Sequence, residues 1–383
     1  MKTIFTVSFF LIASICFSQK AQNSSAKPVK QKKGQELAKL AEKVRPGFLL
    51  GSFASGLTTQ DGEVLKDLFK KEFNILTIGV YMKPTQPEPQ TFRLDSYDNL
   101  VSYALENNLA VYLHPLIGGN QYTADWVING NFSADELKNI MRERITTILT
   151  RHGDKVDYAD VVNEALNGMN PDGTINWKTS GHAWLGMGWY EGKKYRLPLY
   201  LAEAFRIARE VGHKDLKLIL NHPCNDTPDG RITEATLKVY EMMKYEGIPV
   251  DGIGFQMHIR VLEDGTITNN CNNSWTKEGY ESVLKEYEEA GIDVHITEFD
   301  VHIKKQPASE EHLNIQARIY SDALEASIKS PAVKSFKTWG FTDKYSWHEG
   351  GIDGTPLLFD RSFAPKPAYN AQVKMLKELR RKK

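Results

Sequence analysis

The chain has 383 residues, of which 41% are hydrophobic, 10% aromatic and 25% charged. These values are typical of a globular protein that is large enough for one barrel or for two smaller domains. The 48 basic and 48 acidic residues give a formal net charge of zero, so charge provides no general attraction to nucleic acid or to an anionic membrane surface.

Residues 1–18 have the pattern of a secretory signal peptide. Lys2 supplies a positive charge, an apolar run covers residues 4–17, and a polar stretch follows. The apolar run is too short to span a membrane. We therefore expect cleavage after residue 18 and a secreted or periplasmic protein that is not an integral membrane protein. A lipoprotein signal that uses Cys16 is the alternative, although Ile15 stands where such a signal has a small residue.

The remaining chain divides into a linker and one domain. Residues 19–35 consist mainly of Gln, Ser, Lys and Ala and are too polar to form a core, so they predict a flexible linker. Residues 36–383 contain no second linker and no internal repeat, and they predict a single domain. Export permits a disulfide between Cys224 and Cys271, but a bridge and two free thiols both remain open.

Apolar runs and amphipathic stretches alternate along the predicted domain. The apolar runs predict strands at residues 47–52, 74–80, 109–114, 157–163, 216–221, 252–256, 293–298 and 333–339. The amphipathic stretches predict helices at residues 62–73, 96–106, 199–211, 231–246, 277–290, 309–328 and 366–380. A further helix begins after Ser133, where Glu136 completes a capping box.

The strand pattern predicts the fold class. Runs such as residues 218–220 and 253–255 are apolar throughout, as parallel strands covered on both faces require. Eight βα units in a chain of this length predict an α/β protein with a closed (β/α)8 barrel, the TIM barrel. An open doubly wound sheet is the competing fold, but no Gly-rich phosphate loop follows the first strand.

Polar or aromatic side chains stand at the ends of six successive predicted strands. They are His114, Asn163, Glu164, Asn221, Gln256, His258, Glu298 and Trp339. Each alone is explained by helix capping or by an ordinary loop position. In a barrel, however, the carboxyl ends of all strands meet at one pocket. The set therefore predicts an active site at that end.

Two glutamates from the fourth and seventh strands are the candidates for catalysis. A pair of carboxylates across a cleft is the machinery of glycoside hydrolysis, with one acid and one group that attacks or stabilises the anomeric carbon. Asn163, beside Glu164, could hold a sugar hydroxyl, and His258 could keep Glu298 ionised by a hydrogen bond. A metal site is the chemical alternative, but no tight pair of histidines such as H-E-x-x-H is present. We expect neither a catalytic metal nor a cofactor.

Several segments identify a family resemblance. They are Asp160-Val-Val-Asn-Glu-Ala165, Asp251-Gly-Ile-Gly-Phe-Gln-Met-His258, Ile296-Thr-Glu-Phe-Asp300, Thr338-Trp-Gly-Phe-Thr-Asp-Lys-Tyr-Ser-Trp347, Pro356-Leu-Leu-Phe-Asp360 and Pro365-Lys-Pro-Ala-Tyr369. In order and spacing they resemble glycoside hydrolase family 10, the retaining endo-β-1,4-xylanases with a (β/α)8 barrel. The resemblance implies that Glu164 is the acid/base and Glu298 the nucleophile. It implies substrate-binding roles for Lys83, His114, Gln121, Asn163, Asn221, Gln256, His258, Trp339 and Trp347.

The chain also departs from the family pattern. Gly79-Val80 stand where the family has a Glu-Asn pair, and Gly118-Gly119 replace a Trp-His pair. A Trp is replaced by Ala159, and an Asp after the fifth strand by His222. Pro84 stands where the family has a further Trp. The resemblance implies that the Glu-Asn pair and this Trp help to hold a xylose unit beside the glycone subsites, so the preferred sugar can differ from plain xylan.

The resemblance leads to three hypotheses. The first is a secreted retaining endo-β-1,4-xylanase that degrades xylan-like polysaccharide or oligosaccharide. The second keeps the fold and mechanism but assigns another β-linked glycan or glycoside, such as a mixed-linkage or algal polysaccharide or a β-glucosidic conjugate. The third is an inactive carbohydrate-binding barrel, which the presence of both glutamates disfavours. We expect a monomer without nucleic-acid partners.

Overall fold

The structure, a computed structural model, describes residues 36–228, 230–304, 306–347 and 355–382. Within these ranges, eight parallel strands form the centre of the molecule. They are β1 (Leu49–Phe53), β2 (Ile75–Gly79), β3 (Ala110–His114), β4 (Tyr158–Asn163), β5 (Lys217–His222), β6 (Gly252–Phe255), β7 (Asp293–Ile303) and β8 (Val333–Thr338). The predicted signal peptide and linker, residues 1–35, lie outside the described residues and stay predictions.

The strands close into a barrel. Each pairs in parallel with the next along the chain, and β8 pairs with β1. The prediction of a (β/α)8 barrel is confirmed. The strands are buried over nearly their whole length, which explains why their sequences are apolar throughout rather than alternating. The predicted strand bounds agree with the structure to within a few residues, except that β7 continues for five residues beyond Glu298.

Helices surround the barrel. They are α1 (Leu37–Val44), α2 (Gly62–Glu72), α3 (Met82–Thr85), α4 (Asp95–Glu106), α5 (Asp125–Ile128), α6 (Ala134–His152), α7 (Leu199–Val211), α8 (Arg231–Tyr245), α9 (Lys277–Glu289), α10 (Glu310–Lys329) and α11 (Pro367–Arg381). The capping box that opens α6 is confirmed: Ser133 and Glu136 bond each other's backbone N–H. In the described part of the chain, no helix is long and apolar enough to cross a membrane.

Helix α1, which the sequence analysis did not predict, packs at the end of the barrel opposite to the strands' carboxyl ends. The buried Glu72 at the end of α2 accepts a hydrogen bond from the backbone N–H of Leu37 at 3.1 Å and another from the Tyr369 hydroxyl at 2.9 Å. Burial raises the pKa of Glu72 in spite of these donors. One carboxyl group thus joins α1, α2 and α11.

Short hairpins extend the loops on the opposite side, beyond the strands' carboxyl ends. Leu166–Met169 pairs with Ile175–Trp177 directly after β4, and Trp189–Glu191 pairs with Arg196–Pro198. After β6, the strand His258–Val261 lies between the extension of β7 and Ile267–Asn269. Three short 3₁₀ helices complete the described elements: Gly153–Lys155, Ala183–Met187 and Asp343–Tyr345.

The structure decides the question that the cysteines left open. Cys224 and Cys271 form a disulfide, with their Cα atoms 6.0 Å apart, inside the usual range. The bridge joins the loop after β5 to the loop that follows Ile267–Asn269. Disulfides persist in oxidising compartments, so the bridge is compatible with the predicted export.

Candidate active site

Of the two predicted catalytic glutamates, Glu164 directly follows β4 and Glu298 lies within β7. The Glu164 side chain is 18% exposed and that of Glu298 is 4% exposed. Glu164 has a φ of 63°, a left-handed conformation that is uncommon for a residue other than glycine. Its backbone N–H donates to the carbonyl of Asn221 at 3.0 Å, so β5 holds this turn in place. Strained backbone of this kind concentrates at functional sites.

Three donors surround the carboxylate of Glu164. Gln256 Nε2 lies 3.0 Å from Oε1, the amide of Asn163 lies 3.5 Å from the same oxygen, and Lys178 Nζ lies 2.9 Å from Oε2. Burial by itself would raise the pKa of Glu164, but the Lys178 ammonium and the bond from Gln256 outweigh it and lower the pKa to about 2. In this arrangement Glu164 is a carboxylate.

Glu298 is held by two other side chains. Asn221 Nδ2 donates to Oε1 at 2.7 Å, and His258 Nε2 lies 3.2 Å from Oε2. The second ring nitrogen of His258 lies 3.0 Å from Asp300 Oδ1. Burial would lower the pKa of His258, but Asp300 and Glu298 outweigh it and raise the pKa to about 10. His258 is therefore an imidazolium at neutral pH, and it donates to both carboxylates.

A chain of buried amides connects the two glutamates. Asn163 Oδ1 accepts from Asn221 Nδ2 at 3.0 Å and from Gln256 Nε2 at 3.1 Å. Gln256 continues to Glu164 and Asn221 continues to Glu298. Asn163 and Asn221 are both fully buried. Asn221 thus positions Glu298 in this arrangement, and its predicted contact to substrate stays a prediction.

His114 lies beneath the same pocket. Its Nδ1 lies 2.7 Å from Asp160 Oδ2, and the hydroxyl of Tyr112 donates to Asp160 Oδ1 at 2.5 Å. Burial would lower the pKa of His114, but Glu298 and Asp160 outweigh it and raise the pKa. Among the described residues, no hydrogen-bond partner is present for the buried Nε2. This nitrogen is the atom available to a substrate hydroxyl.

Both predicted tryptophans lie beside histidines of the site, Trp339 beside His114 and Trp347 beside His258. The Trp339 ring centroid is 5.0 Å from that of His114 and 4.3 Å from that of Phe53. Trp347 is 55% exposed, its Nε1 donates to Asp300 at 2.7 Å, and its ring lies 5.1 Å from that of His258. Large aromatic faces at a cleft suit the apolar face of a sugar ring.

Lys83 and Gln121 lie at the rim rather than in the buried cluster. Lys83 is in α3, its side chain is 44% exposed, and its ammonium lies 3.3 Å from Asp125. Gln121 is exposed and packs near Gly119. Their predicted substrate-binding roles stay predictions.

Two tyrosines that the sequence pattern does not single out lie beside His114. The rings of Tyr81 and Tyr122 stack with centroids 5.2 Å apart and planes at 16°. Each ring also packs edge-on against His114. A Cβ added to Gly79 would lie 2.8 Å from the Tyr81 ring, and one added to Gly118 would lie 2.6 Å from the Tyr122 ring. The family departures at these glycines are therefore coupled to the two tyrosines.

Other contributors were also missed. Lys178 directly follows the hairpin after β4, 14 positions after Glu164, and Asp160 and Asp300 act through the histidines that they contact. The signal for the aspartates was their place inside apolar strands, where an unpaired carboxylate is costly. Over the described ranges, no group of three or more His, Cys, Asp or Glu side chains is placed to hold a metal ion.

Comparison with known proteins agrees with this geometry. Residues 39–375 match the family described as Glycosyl hydrolase family 10. The chain is 32% identical over 352 residues to endo-1,4-beta-xylanase B of Thermotoga neapolitana, covering 88% of this chain and 91% of that protein. It is 30% identical to a thermostable celloxylanase of Thermoclostridium stercorarium, over 90% of this chain and 89% of that one.

Solved structures show the same similarity. Xylanase 10B from Thermotoga petrophila RKU-1 in complex with xylobiose superposes with a TM-score of 0.76 at 30% identity, covering 91% of this chain and 99% of that one. The matched region contains both glutamates and every barrel strand described above. The chain belongs to glycosyl hydrolase family 10, and it is a glycoside hydrolase.

Proposed function

We propose that this protein is a secreted, retaining endo-1,4-β-xylanase that hydrolyses internal β-1,4 links in a xylan-like polysaccharide. The observation that carries the proposal is the pair Glu164 and Glu298, joined through Asn163, Asn221 and Gln256. Relatives that are named endo-1,4-beta-xylanase cover most of this chain, and one solved relative contains xylobiose.

The mechanism follows from the two glutamates. In the first step, Glu298 forms a bond to the anomeric carbon while Glu164 gives its proton to the glycosidic oxygen, and the leaving sugar departs as an alcohol. In the second step, Glu164 takes a proton from water, the water oxygen bonds to the anomeric carbon, and Glu298 leaves as a carboxylate. One water is consumed, and the anomeric configuration is retained.

The surrounding residues support these steps. His258 and Asn221 aim the two oxygens of Glu298, so its carboxylate does not need to reorganise when it attacks. His114 Nε2 offers a donor to a sugar hydroxyl, and the faces of Trp339 and Trp347 offer stacking surfaces. Preorganised donors in a buried site contribute much of the rate enhancement of an enzyme.

The stacked tyrosines favour a second candidate, the same mechanism on a different β-linked glycan. Tyr81 and Tyr122 take up the space that larger side chains at Gly79 and Gly118 would need. The glycone side therefore presents aromatic rings beside His114. This aromatic surface favours sugars that need fewer hydrogen bonds at this position, or glycosides with an apolar substituent.

A reducing-sugar assay over xylan, mixed-linkage glucans and galactans separates the candidates. We expect release from xylan by the wild-type protein and none by Glu298→Ala, with unchanged circular dichroism. Strong activity on another glycan without release from xylan would support the second candidate. If no substrate were turned over but binding were retained, the third hypothesis, an inactive carbohydrate-binding barrel, would be supported.

Export is part of the proposal and is supported by residues 1–18 and by the disulfide. Amino-terminal sequencing of protein recovered from the periplasm or the medium tests it. A mature amino terminus near residue 19 is expected. A protein found only in the cytoplasm with residues 1–18 retained would contradict it.

A further inference from the structure

The ion pair between Lys178 and Glu164 is built by the hairpin after β4. The backbone N–H of Lys178 donates to the carbonyl of Ala165 at 3.1 Å, and Leu166 pairs with the buried Trp177. These contacts return the chain to the side of Glu164. The lysine stem is thereby fixed at its base, while the side chain is 26% exposed.

The other charged groups near Glu164 do not replace this lysine. His222 is buried, its Nε2 accepts the backbone N–H of Leu166 at 3.2 Å, and burial lowers its pKa to about 4. Burial also lowers the pKa of His182 to about 3. Both histidines are neutral at working pH. His114 has a raised pKa but bonds Asp160, and the Tyr122 hydroxyl stays protonated. Among the described groups that face Glu164, Lys178 is the cation in direct contact.

This ion pair conflicts with one of the two roles of Glu164. The base-catalysed step needs an ionised carboxylate, which the ammonium favours. The acid-catalysed step needs a proton on Glu164, which the same ammonium opposes. The two oxygens are both covered, Oε1 by Gln256 and Oε2 by Lys178. Of the two partners, only Lys178 has a long, partly exposed side chain that can withdraw.

We propose that Lys178 is a positioning residue that switches Glu164 between its roles as acid and base. While water fills the leaving-group side, the Lys178 ammonium contacts Oε2 and keeps the Glu164 carboxyl ionised. When a leaving-group sugar binds, the sugar's hydroxyl oxygens attract the ammonium, and Lys178 leaves Oε2. This inference rests on the proposed function of Glu164 as the acid/base.

The proton balance of the switch is simple. When Lys178 withdraws, Glu164 takes a proton from solvent and then gives it to the glycosidic oxygen as the bond to the anomeric carbon breaks. The leaving sugar departs, and Lys178 returns to Oε2. Glu164 then accepts a proton from the attacking water and releases it to solvent, so the lysine keeps its own proton throughout.

Titration of the Glu164 carboxyl tests the switch without any substrate. Protein carrying ¹³C-labelled glutamate carboxyls is titrated by NMR, with Glu164→Gln used to assign the signal. We expect Lys178→Met to raise the titration midpoint by about one to three pH units, the range for loss of an opposite charge at contact distance. The matched control Lys178→Arg keeps the charge and should titrate like the wild type. An unchanged midpoint in Lys178→Met would overturn the proposal.

Kinetics test the switch in turnover. In Lys178→Met, the descending alkaline limb of kcat/KM should move to higher pH, since Glu164 then stays protonated longer. With an activated aryl glycoside, kcat below about pH 6 should fall, because the second step needs an ionised base. A loss that is uniform over pH and leaving group would overturn the proposal. A wild-type protein that hydrolyses no glycoside would instead contradict the proposed function, while the titration still reports on the ion pair.

Discussion

Asn221→Ala is the substitution that most sharply tests how Glu298 is held. Asn221 is fully buried, and its amide donates to Glu298 Oε1 at 2.7 Å and to Asn163 at 3.0 Å. The substitution leaves the other partners satisfied: Gln256 still donates to Asn163 at 3.1 Å, and the Thr297 hydroxyl still reaches the carbonyl of Phe255 at 3.0 Å. The cost therefore falls mainly on Glu298, the proposed nucleophile.

The magnitude follows from the bonds removed. A hydrogen bond to a charged group contributes about 1.5–3 kcal/mol, and a neutral one about 0.5–1.5 kcal/mol. We therefore expect Asn221→Ala to lower the free energy of unfolding by about 2–4.5 kcal/mol. If the bond to Glu298 aims the carboxylate at the anomeric carbon, kcat/KM falls by about 10- to 150-fold.

Thr297→Val is the matched control. It removes the hydroxyl that donates to Asn221 Oδ1 at 2.8 Å but leaves the bond between Asn221 and Glu298 in place. Its stability loss should be about 0.5–1.5 kcal/mol, with a correspondingly smaller loss of kcat/KM. Urea unfolding and initial rates on one aryl glycoside measure both quantities. If Asn221→Ala kept kcat/KM within about threefold of wild type, a range of under about 0.7 kcal/mol, the reasoning about the nucleophile would be refuted.

Three further predictions test other parts of the site. Glu164→Ala should lower turnover by about 10²- to 10⁴-fold on glycosides with poor leaving groups and much less on activated aryl glycosides, and equal losses in a leaving-group series would argue against an acid. Gly118→Ala would place a Cβ 2.6 Å from the Tyr122 ring, so it should lower stability by about 1–3 kcal/mol in thermal unfolding, and an unchanged Tm would contradict that packing. Burial lowers the pKa of His222 to about 4, whereas a histidine in an unfolded chain has a pKa of about 6.5. Between these two pH values the unfolded state binds more protons than the folded state, so stability falls as the pH falls from about 6.5 to 4. His222→Gln should remove on the order of 2–3 kcal/mol of that acid sensitivity in urea unfolding at the two pH values, and an undiminished slope would show that another group causes it.

The barrel and the pair of glutamates at its carboxyl end could be predicted because both leave local signals. A strand covered on both faces is apolar throughout, and a carboxylate within such a strand or directly after it interrupts the pattern. Glu164 and Glu298 each stand at such an interruption, and the barrel topology then places them at one end. The capping box of α6 was equally visible, since it needs residues only three positions apart.

The parts that were missed depend on tertiary contacts. Helix α1 is stabilised by the remote carboxyl of Glu72, and its sequence follows a polar stretch that obscures its start. Lys178 reaches Glu164 only because a hairpin of three- and four-residue strands, too short for a periodic pattern, folds back. Tyr81 and Tyr122 meet only after β2 and β3 are side by side. The bonds from Asn221 to Asn163 and Glu298 join three different strands, so no local pattern reveals them.

Trapping of the covalent intermediate tests the central claim most directly. The protein is incubated with an activated 2-deoxy-2-fluoro-β-xylobioside, whose fluorine slows the second step more than the first, and the labelled peptide is located by mass spectrometry. We expect a single added glycosyl group on Glu298, and no added group in Glu298→Ala. A label on another residue, or an unlabelled enzyme whose natural products have inverted anomeric configuration, would contradict it.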